Sequence, residues 1–207
     1  MNRAPAAAVA IERLARLHAP EAVALLETLR VSLFGIQSTR LYEALVHDAV
    51  TRRIDGRVAV ASGHVCGVVL AAPRGYWMSA LLTHWRLAVE CLRARLFAHE
   101  QPQATETSPP VARPPAIAFD RRSPRRTWID PGDAWRIIIV GTAPAARGRG
   151  VAADLYRALM RDRSLVARVA PANHASIRLH RSAGWRLYPD GDVVLAVHEL
   201  ELPQGST

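Results

Sequence analysis

The sequence predicts a mixed α/β domain on three observations. Short β-branched runs alternate with amphipathic stretches along the chain, two early runs are joined by a glycine turn, and a glycine-arginine turn links a strand to a helix in the C-terminal half. The 207 residues, half of them hydrophobic, suit one domain with a core that needs neither disulfides nor metal. Cys66 and Cys91 fall in a predicted strand and a predicted helix, so they read as buried thiols rather than as a disulfide framework or a metal cluster.

The elements follow in order. Residues 8–14 have strand-like apolar content, and His18-Ala19-Pro20-Glu21 turns into a helix with proline near its first position, carried on by Val23, Leu26 and Leu29. A second helix spans 39–50. Residues 57–61 and 65–71, separated by Ser62-Gly63-His64, form a hairpin. From 76 to 97 the positions Met78, Leu81, Leu82, Trp85, Val89, Leu92 and Leu96 share one helical face, while Arg86, Glu90 and Arg93 lie away from it. Packing on the protein's own core is the first explanation of that face. Trp77, Trp85 and the arginines also suit an interfacial helix or a lid over a hydrophobic acceptor, with a peripheral membrane or carrier-protein contact through 76–97.

Residues 100–131 are rich in Pro, Thr, Ser and Arg without periodicity, an exposed and partly disordered excursion. Together with the preceding helix they form a helical and Pro/Arg-rich insertion at about 74–131 within a single domain of 1–207. A strand at 134–142, a helix at 151–162, a strand at 165–169, a helix at 173–182 and, after Pro189-Asp190-Gly191-Asp192, a long last strand at 193–202 complete the chain.

All 27 basic side chains are arginine, against 18 acidic ones, a net charge of +9. This bias also fits the coding of a GC-rich bacterial genome. Among the anionic partners the charge could serve, nucleic acid is excluded, because the few aromatic residues form no aromatic-basic ladder. The start of the chain lacks signal-peptide character and no segment of about 20 residues is free of charge, so a cytoplasmic protein is expected.

The chemistry concentrates in Arg147-Gly148-Arg149-Gly150-Val151-Ala152, between the run Ile137-Ile138-Ile139-Val140 and the next helix. A strand that enters a helix through such a turn aims unpaired N–H groups and the positive helix end at one spot, where an anion belongs. Gly148 and Gly150 let a phosphate approach, and Arg147 and Arg149 add charge. The turn lacks the Gly-Lys-Ser/Thr ending of a Walker loop and the third glycine of the dinucleotide fingerprint. A second block, Asn173 through Trp185, reads as a helix N-capped by Asn173 and stopped by Gly184 before a new strand.

These two blocks together resemble the signatures of the GCN5-related N-acetyltransferase (GNAT) superfamily. Arg147, Gly150 and Ala152 fill its coenzyme-A pattern Gln/Arg-x-x-Gly-x-Gly/Ala, with Pro144 three residues before. Asn173, Ser176, Leu179, His180, Gly184 and Trp185 fill its second signature. The resemblance implies a GNAT fold: a central mixed, mostly antiparallel twisted sheet, splayed at the coenzyme strand and flanked by helices. It implies acetyl-coenzyme A as co-substrate and no metal. The diphosphate would lie on Arg147, Gly148, Arg149, Gly150, Val151 and Ala152, and the pantetheine arm on the backbone of Val140, Gly141 and Thr142 and on Asn173.

His180 stands where the family most often has a tyrosine that protonates the departing thiolate, and so takes a catalytic or thiol-positioning role. Where relatives place an acid as general base this chain has Arg168, or Trp135 and Arg136, and Asp133, Glu12 and Glu199 stay open as bases acting through water. The implied activity is N-acetylation of a primary amine of a small molecule, an amino sugar or other amino metabolite. The alternatives are a long-chain acyltransferase using acyl-coenzyme A or acyl-carrier protein, and a non-catalytic coenzyme-A sensor. A homodimer is compatible with either.

Overall fold

The computed structural model describes residues 8–30, 33, 37–85, 89 and 134–200. A seven-stranded sheet runs through it: β1 (Val9–Arg13), β2 (Asp55–Ala61), β3 (His64–Ala72), β4 (Trp135–Thr142), β5 (Leu165–Val169), β6 (Arg186–Asp190) and β7 (Val193–His198), in the spatial order β1-β2-β3-β4-β5-β7-β6. Every pairing is antiparallel except β4 with β5. The predicted hairpin closes through Ser62 (φ 52°) and Gly63 (φ 80°), the two left-handed residues of a turn whose twist matches the flanking strands.

The helices α1 (Ala19–Thr28) and α2 (Thr39–Val50) cover one face of the first strands, burying Leu25, Leu26, Leu41, Leu45 and Val46 against Val58, Val68 and Leu70. On the opposite face lie α4 (Val151–Met160) and α5 (His174–Ser182), and Leu155, Tyr156, Leu159 and Ile177 pack there on Val69, Leu165, Ala167 and Val169. Pro20 sits in the first turn of α1, where a missing N–H costs nothing.

Two elements depart from the sequence reading. The helix predicted over 76–97 begins as α3 (Tyr76–Thr83) and is interrupted where His84 leaves helical geometry (φ −111°, ψ 53°); Trp85 and Val89 beyond it are again helical. His84 turns to bring Nε2 within 3.3 Å of both carboxylate oxygens of Asp48, which is fully buried and also accepts from the Tyr76 hydroxyl at 2.7 Å. Nor does its apolar face pack on the core. Tyr76 and Ala80 are buried, whereas Met78 is 69% and Leu82 82% exposed. Helical spacing marked the apolar stripe but not which stripe meets the sheet. Leu92, Leu96, Cys91, Asp133 and the excursion at 100–131 lie outside the described residues.

The second departure is at the C-terminal end, where the single long strand over 193–202 is a hairpin. β6 precedes the turn at Gly191 (φ 60°), and β7 stops at His198. Pro189 lies inside β6, which is tolerated because β6 is an edge strand.

Candidate functional site

β4 and β5 are held together at one end and part at the other. Trp135 pairs with Leu165 and Arg136 with Val166, and the ladder stops there, although β4 runs on to Thr142. The joined end is clamped by side chains. Arg163, just before β5, lies 4.1 Å over the Trp135 ring and places Nη2 3.0 Å from the buried carboxylate of Asp55, which also meets Arg57 at 3.3 Å. Beyond the clamp Ile138 is an extra residue, since Leu70 faces Ile139 and Ala71 faces Ile137. This bulge re-aims the strand where the wedge begins.

Val140, Gly141 and Thr142 pair with Val69, Val68 and Gly67 on one side. Their other edge faces the open wedge. At its mouth the chain passes through the short 3₁₀ turn Pro144–Ala146 and reaches Gly148 (φ 73°) and Gly150 (φ 81°), left-handed positions that favour glycine. Gly150 is the N-cap of α4 and supplies no capping side chain, and the first bond of the helix is Asp154 N–H to the Gly150 carbonyl at 3.0 Å. The amides of Val151, Ala152 and Ala153 therefore have no helical acceptor. A Cβ placed on either glycine would meet nothing within 4 Å, so the cradle is open, and exposed Arg147 and Arg149 flank it. These residues fit an anionic diphosphate by main chain and charge together.

The helix seats this closely because β3 has Gly67 beneath it. A Cβ there would stand 2.9 Å from Val151 Cγ1 and 3.1 Å from Leu155 Cδ1. Gly141 is similarly shut in by the Leu29 side chain. Neither contact has a local sequence signal, because each joins elements far apart in the chain.

The second block is arranged differently. Asn173 caps α5, its Oδ1 accepting from Ser176 N–H at 3.0 Å, and its side chain stays exposed. His180 is 1% exposed. Its Nδ1 is 2.7 Å from the Ser176 carbonyl, which can only accept, so Nδ1 carries the proton. Nε2 then accepts from the Tyr156 hydroxyl at 3.0 Å. Burial pushes the imidazole below its ordinary pKa and the Tyr156 phenol above its own, so both are neutral at pH 7. A neutral ring whose one N–H is bonded to a carbonyl has no proton in hand for a thiolate. Trp185 packs edge-on against His180 at 4.8 Å, closing the cluster. Tyr156 was not singled out in the sequence, since a helical tyrosine in an apolar face looks like any core residue.

A cavity of about 310 Å³ opens on the face of the sheet opposite α4. Arg136 and Ile138 of β4 and Arg168 of β5 line it, joined by Arg74, Trp77 and Asp190. Of the three positions at which the resemblance leads one to expect an acid, Arg136 and Arg168 share this cavity and Trp135 does not line it. The carboxylate in it, Asp190, lies 3.7 Å from Arg168. Glu12 instead meets His18, and Glu199 meets Arg186. Among the described residues no cluster of His, Cys, Asp and Glu could hold a metal ion, and no helix is long and apolar enough to cross a membrane.

Comparison with known proteins agrees with this geometry. Residues 116–185 match the family model "Acetyltransferase (GNAT) family". No curated protein matches the sequence. Among solved structures, Arabidopsis thaliana NAA60 in complex with acetyl-CoA is similar at 14% identity and a TM-score of 0.55, over 93% of this chain and 99% of that one. The ribosomal-protein-S18-alanine N-acetyltransferase from Escherichia coli is similar at 12% identity and a TM-score of 0.54, over 97% and 99%. An N-acetyltransferase from Staphylococcus aureus Mu50 is similar at 14% identity and a TM-score of 0.53, over 93% and 98%.

Proposed function

We propose that this chain is a GNAT acetyltransferase that transfers the acetyl group of acetyl-coenzyme A to the primary amine of a small molecule, an amino sugar or another amino metabolite. One observation carries the reading: an uncapped helix N-terminus on two left-handed glycines stands at the mouth of a wedge whose strand edge is open.

Acetyl-coenzyme A supplies the acyl group already activated as a thioester. Arg147, Gly148, Arg149, Gly150, Val151 and Ala152 hold its diphosphate through main-chain N–H groups and guanidinium charge. Val140, Gly141 and Thr142 receive the pantetheine arm as an added strand, so the backbone rather than the side chains recognises it. Asn173 spends its oxygen on its own helix and offers its side-chain NH₂ to the same arm. The N–H groups of the β4 edge are the donors available to the acyl oxygen. His180 serves as a positioning residue: its bond to Tyr156 fixes α5 against α4, and thereby Asn173 against the turn.

The test is a thiol-release assay with acetyl-coenzyme A and a panel of primary amines, paired with calorimetry of the cofactor alone. Saturable binding and turnover are expected. Folded protein that neither binds nor releases thiol would sink the reading.

A second reading, transfer of a longer acyl chain from coenzyme A or a carrier protein, is favoured by the exposed Met78, Leu81 and Leu82 on α3, the helix whose Trp77 lines the cavity. Comparable rates with acetyl and long-chain donors would support it, and strict use of acetyl would remove it.

A further inference from the structure

The cavity beside the wedge is charged in an unusual sense for a site that must receive an amine. Leu165, Ala167 and Val169 of β5 pack toward α4, so the alternate residues Val166 and Arg168 face the other way. Arg136, whose ladder partner is Val166, faces the same space, and Arg168 is its diagonal neighbour two residues on. Arg74 approaches from the segment between β3 and α3. Among the described residues three guanidinium groups therefore line a space with one carboxylate, and that carboxylate is already 3.7 Å from Arg168. Arg136 is exposed, so it can turn to a ligand. Ile138, the bulge residue at which β4 leaves β5, also lines the cavity, so the space adjoins the start of the wedge.

We propose that this cavity takes the acceptor, and that the acceptor is a small primary amine carrying an anionic group, carboxylate or phosphate, close to its nitrogen. The proposal rests on the acetyltransferase reading and names its substrate class. Arg136 holds the anion, guanidinium being a planar donor matched to carboxylate and phosphate oxygens. The volume suits a metabolite rather than a folded partner. Cationic amines such as polyamines are repelled by the same charge.

The arrangement also bears on the missing base. A protonated amine held among guanidinium groups is destabilised by like charge, so the bound acceptor loses its ammonium proton to water more readily than in solution. The free nitrogen then forms the C–N bond as the C–S bond breaks. The electron pair leaves on sulfur, and the nitrogen's surplus proton passes through solvent to give the thiol. No carboxylate base is required for this balance.

Matched acceptors test the proposal: an α-amino acid against its amide, and 2-aminoethyl phosphate against ethanolamine, with putrescine as the cationic control. We expect the anionic member of at least one pair to be preferred by about 10-fold or more in kcat/KM. Which pair shows the preference tells carboxylate from phosphate. In Arg136→Gln that preference should collapse through KM, and the rise of rate with pH should move to higher pH, while acetyl-coenzyme A binds as before by calorimetry. Equal use of both members of each pair, preference for putrescine, or cofactor binding with no turnover of an anionic amine overturns the proposal and leaves the cofactor site standing. Loss of cofactor binding in the unaltered protein overturns the function and the proposal together.

Discussion

The turn at 147–150 and the helix at 174–182 are the two sequence blocks that define the site, and they handle their polar groups in opposite ways. The turn leaves its groups unspent: Gly150 caps α4 with no side chain, and the amides behind it have no helical acceptor. The helix has spent nearly all of its own, with Asn173 Oδ1 on Ser176 and both His180 nitrogens on Ser176 and Tyr156. A ligand goes where donors are vacant. In the proposed function the turn is the recognition element and the helix its support, although the helix carries the residue types usually associated with chemistry.

The sharpest way to break this contrast is at Gly150. A β-branched residue there must occupy φ near +81°, a strain of about 1–3 kcal/mol, and its side chain fills the open cradle. Gly150→Val is expected to weaken acetyl-coenzyme A binding about 100-fold by calorimetry, with the fold retained by circular dichroism. A variant that binds normally would show that the amides are not the anion seat.

On the support side, Tyr156→Phe removes the donor to His180 and leaves a buried Nε2 unpaired. Its expected cost is about 1–3 kcal/mol of stability in denaturant unfolding, with a smaller change in cofactor affinity. Were the variant to lose turnover without losing stability, His180 and Tyr156 would belong to the reacting groups.

The acid limb of stability separates the blocks further. Burial lowers the His180 pKa in the folded state, so the unfolded chain binds the proton more readily, and stability present above the unfolded value of about 6.5 falls as pH drops through it toward the folded pKa. His180→Gln should flatten that part of the pH–stability curve. The smallest expected effect is at Arg149. Because this side chain is exposed, Arg149→Gln should cost about 3-fold in cofactor affinity at low salt, and the loss should shrink as ionic strength rises.

The strands other than β6, the hairpin, the helices α1, α2, α4 and α5 and the glycine turn were legible in the sequence because each depends on local periodicity or on a backbone angle that one residue type favours. The partners of those elements were not. Nothing local distinguishes the face of α3 that meets the core from the face bearing Met78 and Leu82, because both are apolar and Asp48, 28 residues from Tyr76, sets the helix's attachment. The edge strand β6 is short and contains Pro189, so it has no strand pattern that sets its bounds. Arg136 and Arg168 stood out as departures from the resemblance, but that they share a cavity follows only from the β4–β5 pairing.

One absent methyl group reaches further than its size suggests. Gly67 acts as a shim under α4: with alanine there, Val151 and Leu155 would have to ride up, and the helix would carry the Gly148–Gly150 turn away from the end of β4. In the proposed function, the span between the two grips on one elongated ligand is thus gauged by a strand that touches neither end of it. Binding of the diphosphate and of the arm would then uncouple before either weakened alone.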